Sequence, residues 1–126
     1  MIDFNGNGIF ARLKKVNDQT FSEIVNEFLI EDEKILGTYQ SVRDGVVFTT
    51  KRIITINVQA IAGKKQDFTS IPYSKITTYS LETAGGFDLD SELEIYVSAV
   101  GRVKFQFIHS ANVKEICAVI SAYALG

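Results

Sequence analysis

The stretch Arg43-Asp44-Gly45-Val46-Val47-Phe48-Thr49-Thr50-Lys51-Arg52-Ile53-Ile54-Thr55-Ile56-Asn57 leaves this chain few folds to choose from. Val46, Val47 and Phe48 form one apolar run and Ile53, Ile54 and Ile56 a second. Four polar residues separate them. Two β-rich runs joined by a tight polar turn read as a hairpin. Asp44-Gly45 adds a turn before it, because this pair tolerates positive φ. Downstream, the pattern adds further strands to this hairpin and then closes with a helix.

The strands follow in order. Ile35–Gln40 precedes the hairpin, and Lys65–Ile71 follows a break at Gly63. Pro72, the one proline, cannot donate to a ladder, so it ends that strand or lies on an edge. Lys75–Glu82 alternates, with Ile76, Thr78 and Ser80 on one face and Thr77, Tyr79 and Leu81 on the other. After the loop from Thr83 to Asp90, Leu93, Ile95 and Val97 face inward, as do Val103, Phe105 and Phe107 beyond the turn at 99–102. Val113, Ile116, Cys117, Ile120 and Ala124 make the stripe of a closing helix, capped by Ser110 or Asn112. Seven strand candidates without β–α alternation predict bent antiparallel sheets.

Before the strands the periodicity is helical. Ile9, Leu13 and Val16 predict a short helix. Thr20 with Glu23 has capping-box spacing for a second, whose stripe is Phe21, Ile24, Val25, Phe28 and Leu29. A stripe that wide needs a cover, either the wall of the domain or a partner.

The 126 residues make one domain, large enough to bury a core without disulfides or metal. A net charge of −2 gives no footprint for nucleic acid. One cysteine, Cys117, excludes an intrachain disulfide framework and fits a reducing cytosol. The start has no signal-peptide pattern, and no apolar run reaches the ~20 residues of a membrane helix. The expected location is cytoplasmic.

Three ordered stretches carry a family likeness. They are Arg43-Asp44 with Val47-Phe48-Thr49-Thr50-Lys51-Arg52-Ile53-Ile54; Gly63-Lys64-Lys65 with Ser70-Ile71-Pro72-Tyr73; and Glu82-Thr83-Ala84-Gly85 with Asp88-Leu89-Asp90-Ser91-Glu92-Leu93. Together they resemble the bacterial pleckstrin-homology (PH-like) domain family, from about Glu31 to Leu125. The resemblance implies a mainly β fold: a PH-like barrel of seven antiparallel strands in two bent sheets, with a C-terminal capping helix. Residues 31–126 would form that domain, and residues 1–30 a helical segment packed on it. The resemblance also implies a non-catalytic module that self-associates into a closed homo-oligomer. Eukaryotic relatives often bind inositol phosphates through basic residues at the first hairpin loop. Here that loop, 41–45, pairs one arginine with an aspartate.

The chemistry-bearing residues fall into four groups. Arg43, Lys51, Arg52, Lys64 and Lys65 are the candidate anion site, set against a reading as solvated turn residues. They would support an alternative function, peripheral binding of anionic lipid or another anionic ligand. Phe21, Val25 and Phe28, with Tyr79 and Tyr96 on outward-looking or ambiguous strand faces, are the candidate interface for copies of the chain or other proteins. Asp88, Asp90, Glu92 and Glu94 carry carboxylates but lack the glycine and distant glutamate of a calcium loop, so no metal is expected. His109, the one histidine, has no argued partner. Cys117 lies on an apolar stripe, and Tyr73 and Tyr123 complete the tyrosines of note. No nucleophile–base pair emerges, so neither enzyme activity nor a cofactor is expected.

Overall fold

The computed structural model describes residues 8–42, 44–59, 65–83, 90–108 and 113–125. The expected strands all form: β2 (Ile35–Gln40), β3 (Gly45–Thr49), β4 (Arg52–Gln59), β5 (Lys65–Pro72), β6 (Ile76–Thr83), β7 (Ser91–Val97) and β8 (Gly101–Phe107). A helix, α2 (Val113–Ala124), closes the chain. Its caps at Ser110 and Asn112 lie outside the described residues. Among the described residues no helix is long and apolar enough to cross a membrane.

The N-terminal expectation is corrected. Gly8–Val16 is a strand, β1, not a helix. There are therefore eight strands among the described residues, in the order β5-β4-β3-β2-β1-β8-β7-β6. The two sheets expected are one, because β1 joins them. Gly8, Ile9 and Phe10 pair in parallel with Val103, Lys104 and Phe105 of β8, while Lys14, Lys15 and Val16 pair antiparallel with Gln40, Tyr39 and Thr38 of β2. A bulge between Phe10 and Leu13 separates the two halves of β1, and Arg12 sits there at φ 57°. The bulge explains the misreading. An extra residue puts the inward side chains Phe10 and Leu13 three apart instead of two, so the alternation of a strand is broken and Ile9, Leu13 and Val16 stand out at helical spacing.

The curled sheet encloses an aromatic core. Phe105 stacks on Phe10 at 5.4 Å, while Phe107 meets Tyr39 edge-on at 4.8 Å. Burial pushes the Tyr39 hydroxyl up to about 12, with Asp18 and Glu115 adding to the rise. The inward residues of β7 and β8 are those the alternation predicts. β6 departs from its pattern. A register shift between Ile76 and Thr78 turns Tyr79 and Leu81 to the same side as Ile76, toward the core. Val113, Ile116 and Ile120 of α2 seal this side of the core, and the helix packs on β6 and on the 3-10 turn Tyr73–Lys75.

A second, smaller cluster lies on the outer surface of β3 and β4. Val47, Ile54 and Ile56 point away from the main core and bury Val25 against themselves, with Phe21, Leu29, Ile35 and Phe68 around them. Residues 17–34 thus form a strap over this half of the sheet. Its helix, α1, spans only Ser22–Val25, and Thr20 does not cap it. The stripe at 21–29 is a true contact face but mostly not helical: turns after Val25 carry Phe28 and Leu29 to the sheet.

Candidate functional site

The strap is fixed by a buried carboxylate. The Glu33 side chain is 0% exposed, and Arg52 addresses it as a fork: Nε donates to Oε2 and Nη2 to Oε1, both at 2.9 Å. The Thr49 hydroxyl donates to Oε2 at 2.6 Å, and the Ile30 amide to Oε1 at 3.1 Å. Arg52 also donates to Ser70 Oγ at 3.1 Å and to the Phe28 carbonyl of the strap. Burial by itself pushes the Glu33 carboxyl up. The hydrogen bonds from Arg52, Thr49 and Ile30, with the charge of Arg52, outweigh it and hold the group below its ordinary 4.5. Tyr73, buried beneath, donates its hydroxyl to the Thr49 carbonyl at 2.7 Å, and burial raises its pKa strongly.

This geometry corrects the anion-site reading at Arg52. Four of its contacts are to protein acceptors within the clamp, so its fork is committed to the strap and to β5. Lys51 is half-buried in the turn beside it. Arg43 and Lys64 lie outside the described residues, and for Lys65 only the backbone, the first residue of β5, is described. The structure does not bring these five side chains together in its described part.

Four of the five candidate interface residues make contacts within the chain. Val25 is fully buried and Phe21 packs over Gly45, because the apolar outer surface of β3–β4 needs a cover. Phe28, at 41% exposed, leans on Phe68 at 5.1 Å. The signal for this cover was in the hairpin itself: an unbroken Val-Val-Phe run buries both faces of a strand, not one. Tyr79 does not face outward. Its hydroxyl lies 2.7 Å from Ser121 Oγ, and Ser121 donates its own proton to the Cys117 carbonyl, so Tyr79 is the donor that ties β6 to α2. Tyr96 does face outward, 49% exposed on β7.

Tyr96 stands on a surface unlike that under the strap. The outward residues of β7 and β8 are Glu92, Glu94, Arg102, Lys104 and Gln106. Lys104 reaches Glu92 at 3.7 Å and Glu94 at 3.8 Å, and Arg102 reaches Glu94 at 3.8 Å. These are loose pairs on a ladder that no described element covers, and such pairs contribute little to stability. Beside them β6 pairs with β7 on one side and with no described strand on the other. Thr77, Thr78, Ser80, Glu82 and Thr83 along it are exposed. An open edge of this kind presents unpaired backbone donors and acceptors. β5 is the other edge, and Pro72 at its end fits the position expected for it.

For chemistry the described residues offer little. Cys117 is half-buried on α2 and burial raises its thiol pKa, the opposite of what a nucleophile needs. His109 and Asp88 lie outside the described residues. Glu92 and Glu94 are engaged by Lys104, and no cluster of three or more potential metal ligands occurs among the described residues.

Comparison with known proteins places the chain. The profile of the bacterial PH domain matches residues 5–124. The uncharacterized protein YjqA of Bacillus subtilis (strain 168) is 38% identical over 120 residues, covering 94% of this chain and 96% of that protein. A crystal structure of a DUF1696 family protein with a pleckstrin-homology domain from Shewanella loihica PV-4 is similar, with a TM-score of 0.72 and 30% identity. It covers 91% of this chain and 99% of that one. The pleckstrin homology domain from Shewanella amazonensis SB2B gives a TM-score of 0.59 and 35% identity, covering 88% and 90%.

Proposed function

This chain belongs to the bacterial PH domain family, and we propose that it works in the cytoplasm as a non-catalytic interaction module that self-associates into a closed homo-oligomer. The observation that carries this reading is that, among the described residues, the β6 edge is open and the adjoining outer face bearing Tyr96 is uncovered. A second copy adding to that edge would pair its free backbone groups and bury the tyrosine, and closed symmetry would leave no edge exposed. Size-exclusion chromatography with light scattering at two protein concentrations tests it. A discrete oligomer at both is expected, and Thr78→Lys with Ser80→Lys on β6 should reduce it to monomer. A monomer of the unaltered chain at both concentrations overturns the reading. The alternative of peripheral anion binding receives no support from Arg52, which is bound to Glu33.

A further inference from the structure

Two exposed surfaces at opposite ends of the β2–β3 hairpin are complementary in character. One is an open groove of about 700 Å³ between the β1 bulge and the turn after β2. Ala11, Val42 and Ile108 give it apolar walls, and Val42 is fully exposed. Two cations, Arg12 and Lys14, line it against a single acid, Asp44. Neither cation has an ion pair among the described residues. The other surface is the far end of the strap. There Phe28 is 41% and Ile30 60% exposed, and the exposed acids Glu27 and Glu31 flank them, also without an ion pair among the described residues. Arg52 fixes this end by donating to the Phe28 carbonyl, so the surface is held and not loose. The six residues of β2 separate the two surfaces, roughly 20 Å of strand, so they cannot meet within one chain.

We infer that they meet between copies: the strap end of one chain, led by Phe28 and Ile30, seats in the groove of the next. Glu27 and Glu31 then face Arg12 and Lys14, and Ile30 covers apolar surface beside Val42. Charge sets the pairing. Two strap ends would bring acids together and two grooves would bring cations together, so the contact joins unlike surfaces and runs head to tail. A head-to-tail contact builds a ring when its rotation closes. This inference rests on the self-association reading and adds a contact remote from the β6 edge and the Tyr96 face.

The test is light scattering of the full chain over a concentration series. Arg12→Glu with Lys14→Glu, and separately Glu27→Lys with Glu31→Lys, should each raise the concentration needed for assembly by about tenfold or more. The chain carrying all four changes should assemble like the parent, because the charges are exchanged and not lost. Net charge alone is controlled by adding Glu23→Lys and Glu115→Lys to the Arg12→Glu, Lys14→Glu chain. That variant returns to the parent's net charge of −2 and should stay weak. All six side chains are exposed, so the fold is retained, and melting temperatures near the parent's verify it. An oligomer unmoved by either reversed pair, a four-change chain as weak as either pair, or recovery of the net-charge control overturns the strap–groove contact and leaves self-association through β6 standing. A parent that stays monomeric at every concentration overturns both.

Discussion

The outer faces of the two half-sheets were given opposite treatments by the same chain. Over β3–β4 the outward residues are Val47, Ile54 and Ile56, and a strap covers them. Over β7–β8 they are Glu92, Glu94, Arg102, Lys104 and Gln106, and no described element covers them. The covered face is held by burial and by a carboxylate with four donors. The open face is held by ladder hydrogen bonds and loose pairs. Burial makes the difference in what each ion pair contributes. Glu33–Arg52 and Glu94–Arg102 join the same residue types, but the first carboxylate is sealed from water and the second is not. Both halves share the main core, so the difference lies in their outer faces: one adds a second buried cluster, and the other is left as exposed surface.

The sharpest way to break this comparison is Glu33→Ala. It strands the Arg52 fork and the Thr49 hydroxyl, and should lower unfolding free energy by about 4 kcal/mol in urea titration. Ile54→Ala opens a cavity beneath the strap and should cost about 3 kcal/mol by the same measurement. Gly45→Ala comes next. A Cβ there would lie 2.6 Å from the Phe21 ring, so the ring must move, at a cost of about 1–2 kcal/mol. In a Phe21→Ala background that cost should shrink, and strict additivity of the two changes would show that the ring is not what resists.

Acid should act on the covered face through Glu33. Its folded pKa lies below the ordinary 4.5, so its contribution is complete above that value and fades as the pH falls through the folded pKa. Glu33→Gln should flatten the acid limb of a stability–pH curve below pH 4.5, and an unchanged limb would assign it to other carboxylates. The smallest effect belongs to the open face. Glu94→Gln should change stability by no more than about 0.5 kcal/mol. A loss approaching that of Glu33→Ala would erase the distinction between the two halves.

Strands that keep a period of two are fully legible in the sequence; β2 is legible despite its register shift between Ile35 and Gly37, while β1 and β6 are not read correctly throughout. β7 and β8 alternate without interruption, so their inward apolar residues are all identified, and only the buried Ser91 at the start of β7 is missed. β1 and β6 each contain a bulge: the sequence pattern reads Leu13 as helical and leaves Tyr79 on an outward or ambiguous face. A single inserted residue shifts the phase, and no local pattern marks it apart from noise. The stripe at Phe21, Val25 and Phe28 reported burial correctly and helicity poorly, because contact with a flat sheet needs apolar spacing but not a continuous helix. The Glu33–Arg52 clamp was hidden for another reason. Both residues stand in ordinary polar surroundings, and only the strap's path over the sheet brings them together. For the candidate sites this meant that Arg52 and Val25 proved to be structural, while the Tyr96 face, read from plain alternation, is where the exposed surface lies.

The joining strand sets an order on folding. Of the eight described strands β1 is made first, yet one of its two neighbours, β8, is made last. Until β8 arrives, β2 through β5 can pair and the strap can settle, but the sheet has a gap where β1 should be locked in. Contacts between distant parts of a chain form slowly, because the loop entropy is lost before the contact repays it. Growth of the nascent protein should therefore show an early, incomplete intermediate and a late closing step timed by synthesis of the last strands.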